Sequence, residues 1–112
     1  MDCLFCKIAA GDIPCTKVYE DDKVLAFKDI APQAPFHAVI IPKAHIASAT
    51  EINAENSSVV ALIFEAAAKI AAENKLENGF RIVTNCGEDG GQTVGHLHFH
   101  MLAQRSLAWP PG

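Results

Sequence analysis

Three histidines stand at alternate positions near the end of the chain, His96, His98 and His100, and a fourth, His37, lies in a separate apolar stretch. Alternate side chains of an extended chain share a face, so the three imidazoles point one way, neighbours about 6–7 Å apart. Leu97, Phe99 and Met101 then point the other way. Two unit charges at 7 Å repel by roughly 0.6 kcal/mol in water and about 2.4 kcal/mol at an effective dielectric of 20. Some of the cluster therefore stays neutral near pH 7, and a neutral imidazole is what a nucleophile or a metal ligand must be. Without that crowding, the same residues would read as polar groups on a solvated sheet face or as satisfied core histidines.

Directly before this row runs a glycine-rich loop, Asn85 to Gly95, with glycines at 87, 90, 91 and 95. Glycines let backbone N–H groups converge on an anion such as phosphate. Glu88 and Asp89 must then face outward. Alone such a loop is only a turn; beside the histidines it points to a phosphate site. At the other end of the chain, Cys3-Leu4-Phe5-Cys6 has the spacing of half a tetrahedral zinc site. The same spacing also suits one helical turn carrying two thiols. Two further ligands are needed to close a zinc site, and His45 and His96 are the candidates. Cys15 and Cys86 read as small buried residues.

The elements that position these groups can be read from periodicity. A short helix is expected from an N-cap at Asp2 to about Gly11, with Pro14 preventing its continuation. Strands follow at Lys17 to Glu20, Val24 to Asp29 and His37 to Ile41, the first two joined at Asp21-Asp22 and the third stopping at Pro42. Val59, Ile63, Ala66, Ala67, Ile70 and Ala71 recur at helical spacing, with Asn53 as N-cap, Glu55 in the first turn and Gly79 as the stop. Strands at Phe80 to Asn85 and His96 to about Ala103 complete the pattern. Short connections favour antiparallel pairing, and one helix covers one sheet face. The expectation is an α+β domain: a five-stranded antiparallel sheet, one long helix and a short N-terminal helix. The other sheet face must meet water, meet a partner or carry a site.

The chain has 112 residues, 50% hydrophobic and 20% charged. That is one domain, 1–112, able to bury about two-thirds of its surface without disulfides. The net charge of -4 argues against a DNA or RNA polymer as partner. No apolar run approaches the roughly 20 residues of a membrane span. The start shows no secretion signal, so a reducing compartment, the cytoplasm, is expected, with the cysteines as thiols or metal ligands.

His96-Leu97-His98-Phe99-His100-Met101-Leu102 resembles the signature of the histidine triad (HIT) family, in which histidines alternate with apolar residues. Phe5-Cys6-Lys7-Ile8, Ile13-Pro14, Ala26 to Ile30, Pro32 to Pro35 with His37, Ile41-Pro42-Lys43, Gly90 to Thr93 and Trp109 to Gly112 are similar to the Hint branch of that family, bacterial type with CxxC. The resemblance spans nearly the whole chain. It implies a homodimer that binds purine nucleotides and hydrolyses the bond between adenosine monophosphate and an amine. His98 would attack the α-phosphorus and form a nucleotidyl-histidine. His37 and His100 would handle protons and contact phosphate, with His96 completing the triad. Thr93 would place a hydroxyl near the leaving nitrogen, and Asp29 would hold the ribose hydroxyls. Without the resemblance, Asp29 would read as a strand-end turn residue. Leu4, Phe5, Phe27 and Ile30 would wall the base, and Asn85, Gly91 and Gln92 would join the nucleotide contacts. It also implies a structural zinc at Cys3, Cys6, His45 and His96, with no cofactor in the chemistry itself.

Two positions depart from the branch. Gly95 stands where a tyrosine is usual, opening the leaving-group side, and Ala103-Gln104 replaces a Gly-Gly pair. Three other readings compete with the phosphoramidase. One is a dinucleoside polyphosphate hydrolase of the same family. Another is a zinc hydrolase with His96, His98 and His100 on one catalytic ion, which alternation along one strand makes hard to close at the ~2 Å bonds zinc demands. The third is a nucleotide-binding regulatory module without useful turnover.

Overall fold

The computed structural model describes residues 2–112; Met1, part of the expected single-domain range 1–112, lies outside the described residues. Helix α1 (Leu4–Ala9) leads into strands β1 (Lys17–Glu20), β2 (Val24–Lys28) and β3 (Phe36–Pro42). Helix α2 (Ser58–Glu73), strand β4 (Phe80–Val83), a one-turn helix α3 (Gly87–Gly90) and strand β5 (Phe99–Ala103) follow. The strands form one sheet in the order β1-β2-β3-β5-β4, and every neighbouring pair is antiparallel. This is the expected α+β architecture.

Local chemistry explains where elements begin and end, and several boundaries differ from the sequence expectation. Helix α1 is capped by Cys3 rather than Asp2: Cys3 is extended and its Sγ accepts from the Cys6 amide at 3.4 Å. In the β1–β2 turn, one Asp21 carboxylate oxygen accepts from the amides of Lys23 and Val24. Asn53 does cap, but it caps the turn before α2, accepting from the amides of Glu55 and Asn56, so the helix proper starts at Ser58. It ends before Gly79, because Asn74 turns its amide back to the Ile70 carbonyl and Lys75 takes a left-handed φ of 55°. Gly79, at φ 94°, serves the turn into β4 instead.

The most consequential difference lies at β5, which starts at Phe99 and not at His96. Residues 96–98 approach β5 outside the ladder. Strand β3 pairs Ile40 with Phe99, and Pro42, two residues on, has no N–H to offer. The approaching segment bonds elsewhere: the Leu97 amide donates to the Ile46 carbonyl at 2.6 Å, and the Thr84 hydroxyl donates to the His98 carbonyl at 2.7 Å.

The expected face separation holds nonetheless. Ile63, Ala66, Ala67 and Ile70 of α2 pack on Val24, Ala26, Ala38 and Ile40 together with Leu97, Phe99 and Met101. Fully burying an isoleucine such as Ile63 contributes about 1.5–3 kcal/mol. The opposite face is not wholly open. Phe5 and Ile8 of α1 cover Leu25, Phe27, Val39 and Ile41 in a second, smaller core. Strand β3, sandwiched between the two cores, is buried along its whole length.

Candidate active site

His98 arrives on the unpaired segment before β5, with its ring 5.0 Å from that of Phe5 in an edge-on arrangement. Its Nδ1 lies 2.7 Å from the carbonyl oxygen of His96. A carbonyl can only accept, so the His98 proton sits on Nδ1 and Nε2 is left as a bare lone pair. That is the form a nucleophilic imidazole requires.

His37, on β3, is fixed from the other direction. Its Nδ1 accepts from the Gln33 amide at 3.0 Å, which places the ring proton on Nε2. That Nε2 lies 2.8 Å from Nδ1 of His100 and 3.4 Å from Oδ2 of Asp29, and His100 Nδ1 is 3.7 Å from the same oxygen. His37 thus donates to His100, whose own proton is left on Nε2. The rings of His98 and His100 are 5.2 Å apart. A ring with a bare Nε2 and a ring with a protonated one are therefore neighbours. Burial pushes the His37 imidazole below its usual pKa of 6.5, with Asp29 opposing the shift. His100 is lowered first by burial and then by His98 and His37, with Asp29 again opposing.

Asp29 makes the contact of a strand-end turn residue and also reaches the histidines. Its Oδ1 accepts from the Ala31 amide, an ordinary turn contact, while Oδ2 faces the two histidines. A cavity of about 290 Å³ opens beside this group. Leu4, Phe5, Phe27 and Ile30 provide apolar walls, and Asp29, Thr93, His98 and His100 line its polar side. Ile8, Lys28, Val39 and Val94 line it as well, and nothing in the motif spacing had marked them. Asn85, Gly91 and Gln92 do not line it. Nor does His37: with Asn85, Arg81 and Arg105 it lines a cavity of about 480 Å³ that adjoins the first at His100. Gly91 takes a left-handed φ of 77° to end α3. The Gln92 amide is committed to the loop itself, donating to the carbonyls of Ala47 and Val94 and accepting from the Gly87 amide. Gly95 lines neither cavity, and a Cβ built on it would meet nothing within 4 Å.

His96 belongs to a different constellation. Its Nδ1 is 3.4 Å from Sγ of Cys3 and 3.6 Å from Sγ of Cys6, and His45 Nδ1 is 3.3 Å from Sγ of Cys6. One ligand atom from each of these four residues falls within 4.8 Å of the others. For zinc bonds of about 2.0 Å to nitrogen and 2.3 Å to sulfur, neighbouring ligands of a tetrahedron are about 3.5 Å apart. His96 Nε2 donates to the Pro42 carbonyl at 2.8 Å, so the Nδ1 facing the thiols is bare. The donor set fits a structural zinc. Asp29, His37 and His100 also cluster within 4.8 Å, but there the Gln33 amide leaves a proton on the inward nitrogen of His37. His37 thus has no lone pair to offer an ion there. Among the described residues, no cluster joins His96, His98 and His100, as a catalytic ion held by all three would require.

Comparison with known proteins gives concordant matches. The family described as "Scavenger mRNA decapping enzyme C-term binding" matches residues 2–108. An uncharacterized HIT-like protein of Synechococcus elongatus is 50% identical over 111 residues, covering 99% of this chain and 97% of that one. A 14 kDa zinc-binding protein of Brassica juncea is 44% identical over 113 residues, covering 99% of this chain and all of that one (100%). The crystal structure of a HIT family hydrolase from Legionella pneumophila superposes with a TM-score of 0.96 at 51% identity, over 99% of this chain and 100% of that one.

The lowered pKa values of His37 and His100 make stability depend on pH. Unfolding returns both groups to about 6.5, so the unfolded chain binds protons more readily. Their contribution is complete above 6.5 and is lost as pH falls through the lower folded values. Urea unfolding at pH 7.5 and at pH 5.5 is expected to show lower stability at the acid pH, with a smaller difference in the His37→Gln/His100→Gln double variant. An equal or larger difference in that variant would contradict the assignment.

Proposed function

The chain belongs to the histidine triad family, and from that premise we propose that it is a purine nucleotide-binding hydrolase that cleaves the bond between adenosine monophosphate and an amine. The observation that carries this reading is the pair of ring nitrogens described above. His98 has a bare Nε2 because its Nδ1–H is held by the His96 carbonyl, and His100 beside it keeps its proton on Nε2. The 290 Å³ cavity, apolar at one side and polar at the other, is at the lower end of the small-molecule range and suits a mononucleotide.

In the first step His98 Nε2 attacks the α-phosphorus. An N–P bond to the enzyme forms while the bond to the leaving nitrogen breaks, its electron pair going to that nitrogen. An amine leaves only if it gains a proton. The leaving nitrogen takes that proton from solvent, while the Nε2–H of neutral His100 and the Thr93 hydroxyl hydrogen-bond to the departing group. In the second step water attacks phosphorus and gives its proton to solvent, the enzyme N–P bond breaks with its electron pair returning to His98 Nε2, and adenosine monophosphate leaves. Splitting one displacement at phosphorus into two lowers each barrier. Leu4, Phe5, Phe27 and Ile30 hold the base, and Asp29 Oδ2 faces the ribose. Asn85, Gly91 and Gln92 shape and border the phosphate side rather than wall the base.

Incubated with adenosine 5′-phosphoramidate, the protein is expected to release adenosine monophosphate. His98→Ala should lose at least about 10³-fold in rate, since no other group replaces the nucleophile. Brief exposure to EDTA should leave the wild-type rate unchanged. Rate lost to EDTA with the fold intact would hand the chemistry to a metal. A dinucleoside polyphosphate is the second reading, favoured by the adjoining 480 Å³ cavity with its two arginines; preferential cleavage of diadenosine polyphosphate in the same assay would select it.

We further propose that Cys3, Cys6, His45 and His96 hold a structural zinc that ties α1 to the segment carrying His98. The four-residue donor set and the bare Nδ1 of His96 support this, as does the likeness to the 14 kDa zinc-binding protein of Brassica juncea. Protein purified without added metal should carry close to one zinc per chain, and Cys3→Ser should lower both zinc content and the unfolding temperature. Well under one zinc per chain in the wild type would overturn it.

The same family reading implies a homodimer. Strand β4 is a sheet edge, and Phe64, Phe80 and Trp109 are exposed on this chain. Light scattering at micromolar concentration should report twice the chain mass; a monomer would contradict the assembly. No helix among the described residues is long and apolar enough to cross a membrane. The four free cysteines suit a reducing compartment, and the cytoplasm is the proposed location.

A further inference from the structure

His37 owes its tautomer to a backbone amide in a loop that the sheet does not hold. Residues 31–35, Ala-Pro-Gln-Ala-Pro, connect β2 to β3, and the two prolines have no N–H. The Gln33 amide is the donor that reaches His37 Nδ1, at 3.0 Å. The Gln33 side chain donates locally to the Ala31 carbonyl at 3.0 Å, and a second hold on the residue comes from far along the chain. After β5, Gln104 takes a left-handed φ of 72°, and the next residue, Arg105, donates from Nε to the Gln33 carbonyl at 3.0 Å. A second guanidinium nitrogen of Arg105 donates to the Ser106 carbonyl at 3.1 Å, which steadies the fork. The contacts run without a gap from Arg105 through the backbone of residue 33 to His37 and on to His100 Nδ1 at 2.8 Å.

We propose that Arg105 is a positioning residue: by clamping the Gln33 carbonyl it keeps the Gln33 amide on His37, and so keeps the His100 proton on the outward nitrogen where it can hydrogen-bond to a leaving group. The alternative arrangement is specific. If the Gln33 amide drifts off, His37 can carry its proton on Nδ1, which bares Nε2. His100 must then turn its own proton inward, onto Nδ1, to avoid two facing lone pairs. Its outward nitrogen loses the proton, and the site loses that hydrogen-bond donor without losing any catalytic side chain. His98 is unaffected, because its tautomer is set by the His96 carbonyl on a different segment.

This inference rests on the proposed phosphoramidase reading for its kinetic consequence but not for its structural one, and the two are measured separately. Long-range proton–nitrogen correlation spectra of the histidine-labelled full chain report which ring nitrogen of each imidazole is protonated. The wild type is expected to show Nε2–H for His37 and His100 and Nδ1–H for His98. In Arg105→Ala the His37 and His100 signals shift toward the opposite tautomer while His98 stays as it was. With adenosine 5′-phosphoramidate, kcat falls about 10- to 100-fold, as for a catalytic group displaced by a fraction of its reach, and KM changes by less than about twofold. Arg105→Lys, which keeps the charge but not the fork, gives a smaller shift in the same direction. Arg105 is exposed, so its truncation empties no core, and circular dichroism verifies the fold. Wild-type tautomers in folded Arg105→Ala would overturn the proposal. If no phosphoramidate is turned over by the wild type, the substrate reading fails alone, and the spectra still decide the role of Arg105.

Discussion

A backbone carbonyl can only accept a hydrogen bond and a backbone amide can only donate one, and the candidate active site depends on that asymmetry. Imidazole is a donor at one nitrogen and an acceptor at the other, so either kind of backbone group decides which nitrogen remains available. The His96 carbonyl frees Nε2 of His98, the Gln33 amide makes His37 a donor to His100, and the Pro42 carbonyl frees Nδ1 of His96 for the thiols. Three histidines of similar surroundings are thereby assigned three chemistries. None of the assignments needs an ionised partner. Asp29 adds charge behind His37 and His100, but its Oδ2 stands farther from them than they stand from each other.

The same short segment serves both constellations. His96 faces Cys3, Cys6 and His45 with its ring and His98 with its carbonyl, so whatever orders His96 also orders the ring of His98. This accounts for residues 96–98 lying outside the sheet ladder. A paired strand would commit their backbone groups to neighbours, whereas here the His96 and His98 carbonyls bond to a ring and to the Thr84 hydroxyl. Helix α1 contributes to both sides, Cys3 and Cys6 to the cluster and Leu4 and Phe5 to the cavity wall.

Much of this was legible in the residues. The alternation of His96, His98 and His100 with Leu97, Phe99 and Met101 predicts which side chains lie under α2, and they do, although regular pairing begins only at Phe99. The spacing of Val59 to Ala71 identifies the buried helix face but places the helix start too early, because Asn53 caps a separate turn. The glycine loop predicts a phosphate site, and the resemblance adds Gln92 to the nucleotide contacts. The structure shows its amide spent on holding the loop together, a role that no composition rule distinguishes from ligand binding. The contacts of Gln33, Pro42 and Thr84 had no sequence signal, since two of them use backbone atoms that every residue, or nearly every residue, possesses.

The central claim is that His98 becomes covalently bonded to phosphorus during turnover. Rapid-quench mass spectrometry under single-turnover conditions with adenosine 5′-phosphoramidate tests it most directly. The account predicts a transient gain of one adenylyl group on the peptide containing His98, formed before free adenosine monophosphate appears and decaying as it accumulates. Release of adenosine monophosphate with no protein adduct at any time, or an adduct on a residue other than His98, would contradict it.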